Sequence, residues 1–166
     1  MGRGERRFTR MNTDSIFVMM FDYNLYPKEN LMNIKRYSAI LYAIISALVI
    51  AFQIALAAGA PWGAYAMGGA FPGQFPPSMR IGAGVQAIIL AGLAGVVLAR
   101  AGVALGGWSR ASRWLIWVVV AFSTLSLVLN LITPSTDERA IWAPVSFVML
   151  ASSLVVAILS RSKNTR

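Results

Sequence analysis

Chemistry needs titratable or ligating side chains, and this chain has few. Its 166 residues include no histidine and no cysteine. That removes thiolate nucleophiles, disulfides, iron–sulfur clusters and the commonest metal and haem ligand, so no cofactor and no metal site is expected. Outside residues 1–31 the carboxylates are Asp137 and Glu138, followed directly by Arg139. Adjacent residues at a helix start diverge by about 100° and do not readily make a tuned acid–base pair. Ser135 with Glu138 three residues on reads instead as a capping box, with both acids at the positive end of a helix dipole. Gln86 and Asn130 stand inside apolar runs. Polar groups at such depth are costly and often functional, but they also serve as interhelical hydrogen bonds worth about 0.6 kcal/mol. The remaining candidates are Trp62 and Tyr65 in a Gly/Pro-rich stretch and Arg80 at its end. The GGAFPG run within that stretch lacks the lysine and the setting of a phosphate-binding loop.

The elements that position these groups follow from composition. Hydrophobic residues make up 57% of the chain and charged ones 13%, with a mean hydropathy of +0.64. Soluble domains carry about 25% charged residues, so this is a membrane chain. Its length suits about four spans of ~20 residues. Four apolar runs, at about 37–58, 79–99, 114–132 and 140–159, predict an all-α membrane fold: an antiparallel four-helix transmembrane bundle. At 100° per residue, Ser38, Tyr42, Ser46 and Gln53 share one face of the first span and should look into the bundle. Ser123, Ser126 and Asn130 share a face of the third, and Trp142, Ser146, Met149 and Ser153 a face of the fourth. In the second, Gly84, Ala87, Ala91, Gly95 and Ala99 form a small-residue stripe that predicts close packing inside the bundle, with a homodimer face as the alternative.

Residues 59–80 are neither span nor tail. They hold four of the seven prolines and five of the fourteen glycines, interleaved with Trp62, Tyr65, Phe71 and Phe75. Such a segment is a shaped loop, and its rings suit a membrane–water interface. Trp62, held between Pro61 and Gly63, should be partly buried against the span ends. Residues 1–31 form an N-terminal extension with a basic start and an apolar run too short to span, either surface-lying or not native; Met32 opens a membrane-protein-like start to the 32–166 membrane domain.

Net charge is +9. On a soluble chain that balance would suggest nucleic acid; here the bases sit at span ends and serve topology. Lys35, Arg36, Arg100, Arg110, Arg113, Arg161, Lys163 and Arg166 fall on one side, Arg80 and Arg139 on the other. Both termini should therefore be cytoplasmic, with the 59–80 loop and the turn before the fourth span sharing the outer face. Arg80 would either pair there with Asp137 or Glu138 and frame a polar mouth, or stay exposed and snorkel among lipid headgroups.

GAPWG at 59–63, MGG at 67–69, Pro72-Gly73, the proline before Arg80 and NLITPSTDERAIWAP at 130–144 together resemble a group of small, functionally uncharacterised four-span bacterial integral membrane proteins. The resemblance covers about 32–160. It implies the fold and a location in the cell inner (plasma) membrane, and no activity. Three function classes follow: an accessory or binding subunit whose outer loop docks a lipid or a membrane-protein partner, a small transporter or channel unit built as a homo-oligomer, and, ranked last, a membrane enzyme using the Asp137-Glu138-Arg139 cluster. The site expected for a ligand or partner comprises Trp62, Tyr65, Arg80, Asn130, Asp137, Glu138 and Arg139.

Overall fold

The computed structural model describes residues 27–108 and 110–161. The four apolar runs form four helices: α1 (Lys28–Ala58), α2 (Pro77–Ala101), α3 (Ser112–Ile132) and α4 (Thr136–Arg161). Two 3-10 turns, Gly63–Tyr65 and Met67–Gly69, shape the α1–α2 loop, and a third, Gly106–Trp108, lies between α2 and α3. Each of the four helices is long and apolar enough to cross a bilayer. Their outward faces carry exposed large apolar side chains, among them Leu48, Ile81, Ile88, Ile132 and Phe147. Such surfaces are unfavourable in water and indifferent in lipid. The protein is a multi-pass integral membrane protein, an antiparallel four-helix transmembrane bundle.

The helices outrun the predicted spans where polar residues begin them. α1 has 31 residues, or about 46 Å at 1.5 Å per residue, against a hydrocarbon core of about 30 Å. Hydropathy registers only the part inside lipid, so the turns from Lys28 to Arg36 went unseen. The helix also runs through the boundary expected at residue 31; the rest of the expected surface-lying segment, residues 1–26, lies outside the described residues. α2 starts at Pro77 behind Pro76, the first-turn position where a missing N–H costs least. α4 starts at Thr136, so Asp137, Glu138 and Arg139 are helical rather than part of the turn.

α1 packs broadly on α2 and on α4, α3 packs on α4, and α2 touches α3 sparingly. The main core fills the half of the bundle nearest residues 27 and 161. It comprises Ala39, Tyr42, Leu90, Val97, Ile116, Val119, Met149 and Val156 with their neighbours. A smaller cluster of Leu56, Phe75 and Ala83 closes the α1–α2 corner at the loop end.

The small-residue stripe does not pack as a unit. Ala87 and Ala99 are buried, but Ala91 and Gly92 are exposed, and a Cβ added at Gly84 or Gly92 would meet nothing within 4 Å. The buried face runs instead through Ala83, Ala87, Leu90, Val97 and Ala101. At 100° per residue these positions stay aligned, whereas a stripe spaced nearly four residues apart winds away from its neighbour.

An arginine at each end of α2 ties down a neighbouring helix. Arg80 Nε donates to the Ala57 carbonyl at 2.8 Å, and Arg100 Nη2 donates to the Ser160 carbonyl at 2.7 Å. The Ala57 carbonyl is a last-turn acceptor at the negative end of the α1 dipole, where intrahelical donors have run out. At the α1 end Gly59, at φ 98°, turns the chain, with its N–H on Leu56 (3.0 Å) and the Ala60 N–H on Ala55 (2.9 Å). The Arg80 guanidinium lies where a Gly59 side chain would stand, its Nη2 3.0 Å from a Cβ built there.

Candidate functional site: a lateral cavity at the loop end

The polar faces expected from spacing do meet. Tyr42, Ser46 and Gln53 of α1, Ser123 of α3 and Ser146 and Ser153 of α4 are buried. The Tyr42 hydroxyl lies beside Ser46 and Ser123, in electrostatic contact with both, yet none of the three hydroxyls has a well-formed hydrogen bond. Towards the loop end the helices part around a cavity of about 830 Å³. That volume falls within the ~300–1,000 Å³ usual for small-molecule sites.

The cavity has an apolar side and a polar side. Val49 and Phe52 of α1, Met79, Ala83 and Leu90 of α2, and Phe122 and Leu129 of α3 supply hydrocarbon. Asn130 organises the polar side. Its Nδ2 donates to the Ser126 carbonyl at 2.8 Å and reaches across to Ser146 Oγ of α4 at 2.9 Å. The Ser126 and Ser146 hydroxyls lie 3.2 Å apart. This network joins α3 to α4 and leaves α2 out. Between α2 and α3 the wall is open: Gly82, Gln86, Leu125, Leu129 and Ile132 line the cavity and are also exposed to the surroundings. The opening therefore faces sideways, where lipid would lie.

The loop roofs the cavity. Gly63 is its hub: the Gly63 N–H donates to the Gly73 carbonyl at 2.9 Å, and a Cβ there would overlap the Phe71 carbonyl oxygen. The next turn, through Met67 at φ 57° and Gly68 at φ 71°, leans on Pro134 and Thr133 of the α3–α4 turn. Trp142 Nε1 of α4 donates to the Tyr65 carbonyl at 2.7 Å and pins the loop from the side. Trp62 stacks one face on Phe52 at 6.1 Å with 9° between planes, but at 46% it is exposed rather than buried against the span ends as expected. Phe52 in turn meets Trp142 at 4.8 Å.

No family model, no curated protein and no solved structure matches the chain.

The expected site residues separate into two groups. Tyr65, Asn130 and Glu138 line the cavity, and Trp62 stands in the adjoining groove with Phe52, Tyr65, Ile141 and Trp142. Arg80, Asp137 and Arg139 line neither. Asp137 and Arg139 are exposed beside a buried Glu138, because consecutive positions at a helix start point in different directions. The expected ion pair of Arg80 with Asp137 or Glu138 is not formed. Arg80 is bonded to α1, and Glu138 Oε2 is buried with no hydrogen-bond partner. A helix C-terminus lies closer to Arg80 than either acid does, and sequence spacing conceals that neighbour.

Glu138 is half of a capping box: its N–H reaches Ser135 Oγ at 3.3 Å. Its side chain lines the cavity and is 8% exposed. Thr133, whose buried Oγ1 also lacks a partner, lines the same end. Sequence reasoning passed over Thr133, Gln53, Gln86, Ser126 and Ser146 as site residues. The signal was present for all but Thr133, in the polar faces of three spans and in the isolated Gln86.

Proposed function

We propose that this protein is a membrane-embedded binding module that takes an amphipathic molecule from the bilayer into the lateral cavity, beneath the ordered loop on the extracytoplasmic side. The observation that carries this reading is the cavity itself: about 830 Å³, lined largely by hydrocarbon with Asn130, Ser126, Ser146 and Glu138 among its polar groups, and open between α2 and α3. A closed bundle of this size would fill that space with side chains, because protein interiors are close-packed. The mixed lining suits a molecule with an alkyl part against Met79, Ala83, Leu90, Phe122 and Leu129 and a polar head near Asn130 and Glu138. Held so, the molecule could be sequestered or presented to a membrane-protein partner at the loop.

Gly82 supplies the test. It lines the cavity, and an added Cβ there meets nothing within 4 Å, so a larger side chain enters the opening without straining the helix. The protein in nanodiscs should retain about one tritiated dodecanol per chain beyond what empty nanodiscs take up, and Gly82→Phe should abolish the excess. Equal retention by wild type, variant and empty discs would refute the reading. A homo-oligomeric transporter or channel is favoured by the outward Gly84, Ala91 and Gly92 of α2; native mass spectrometry showing a monomer only would set it aside.

A further inference from the structure

We infer that the head group recognised in this cavity is a protonated amine, with Glu138 as its acceptor. This deepens the proposed binding function and rests on it. Among the described residues Glu138 is the only formally charged side chain lining the cavity. It is 8% exposed, and its Oε2 has no partner. A carboxylate oxygen withdrawn from water without a donor is among the most unfavourable arrangements in a protein. The positive end of α4 eases it, but the hydrogen bond formed there belongs to the Glu138 backbone N–H, not to its carboxylate.

Among the described residues neither Arg80 nor Arg139 pairs with this carboxylate, and Asn130 does not donate to it. Arg80 donates to Ala57, and Arg139 is exposed and outside the lining. The Asn130 amide is directed to Ser126 and Ser146. A metal ion would need further ligands, and among the described residues no cluster of three ligating side chains exists. A donor carried by the occupant would supply the missing bond. An anionic head is opposed by the carboxylate. A hydroxyl satisfies the hydrogen bond and leaves the charge. An ammonium satisfies both, and such charge-assisted bonds are about twice as strong as neutral ones.

The surroundings fit the same head. Thr133 Oγ1 offers a second unpartnered oxygen at that end of the cavity. Tyr65 and Trp142 line the wall beneath the loop, and aromatic faces attract cations. A free amphipathic amine and a bilayer aminolipid present the same ammonium and differ in the phosphate carried by the second.

The test compares tritiated dodecylamine, dodecanol and dodecanoate on the protein in nanodiscs, each corrected for uptake by empty discs. Wild type should prefer the amine over the alcohol by about tenfold, with dodecanoate weakest. Glu138→Gln keeps the shape and the Ser135 cap, and should bring the amine-to-alcohol ratio to about one. Asp137→Asn removes an exposed charge one position away and should leave the preference intact. Equal retention of amine and alcohol by wild type overturns the inference, needs no variant to fold, and leaves the binding function standing. Loss of the preference in Asp137→Asn as well as in Glu138→Gln also overturns it, since surface charge would then explain the effect. Retention of lysophosphatidylethanolamine as well as dodecylamine would identify bilayer aminolipid as the source; retention of dodecylamine alone, a free amine.

Discussion

Arg80 illustrates how one side chain is claimed by the nearest unsatisfied group rather than by the nearest opposite charge. The Ala57 carbonyl lies at a helix end that has exhausted its own donors, and the guanidinium fills the space left by Gly59. Arg80→Ala should therefore lower stability by about 1 kcal/mol, the scale of a partly buried helix-dipole contact. Combined with Glu138→Ala it should be additive to within about 0.5 kcal/mol, as expected of groups that share no bond. A double-mutant cycle on thermal unfolding in detergent measures both. Sequence could propose that Arg80 had a partner, because a lone arginine among apolar residues needs one. It could not name Ala57, since the pairing depends on a loop that returns the chain to its own helix end. Glu138 was legible as a cap and not as a buried group: the capping pattern fixes its backbone, while the packing of loop against turn decides whether its side chain meets water.

At the scale of elements, the spans, their antiparallel order and their polar faces were legible because each follows from hydropathy and a 100° rotation per residue. Tyr42, Ser46, Gln53 and Ser123 all turned inward as that periodicity demands. The start of α1 was not legible, since residues 28–36 are helical without being apolar, whereas the Ser135 cap marked the start of α4. The loop was recognisable as shaped from its glycines and prolines, but which glycine mattered was not. Gly63 stands against a carbonyl oxygen, whereas Gly82 faces open space in mid-helix. Gly63→Ala should thus open the loop to protease and lower the unfolding temperature. Gly82→Ala should raise stability by up to about 1 kcal/mol through helix propensity alone. Limited proteolysis and thermal unfolding of the two variants side by side check the contrast.

For the whole molecule, the unequal distribution of bases governs how the bundle is threaded. We propose that both termini are cytoplasmic, from eight bases against two. A reporter active only outside the cytoplasm should be active when fused after Ser135 and silent when fused after Gly107. The reverse pattern would turn the molecule over and move the cavity to the other leaflet. The sparse contact between α2 and α3 has a mechanical side as well. Close-packed interiors have low compressibility, and pressure acts by eliminating internal voids. With its core filled at one end and its helices parted at the other, the bundle is stiff beside the termini and soft beneath the loop. Lateral squeeze from the surrounding lipid therefore performs its work on α2 and α3 at their parted ends, and any guest lodged there is a strut that opposes it.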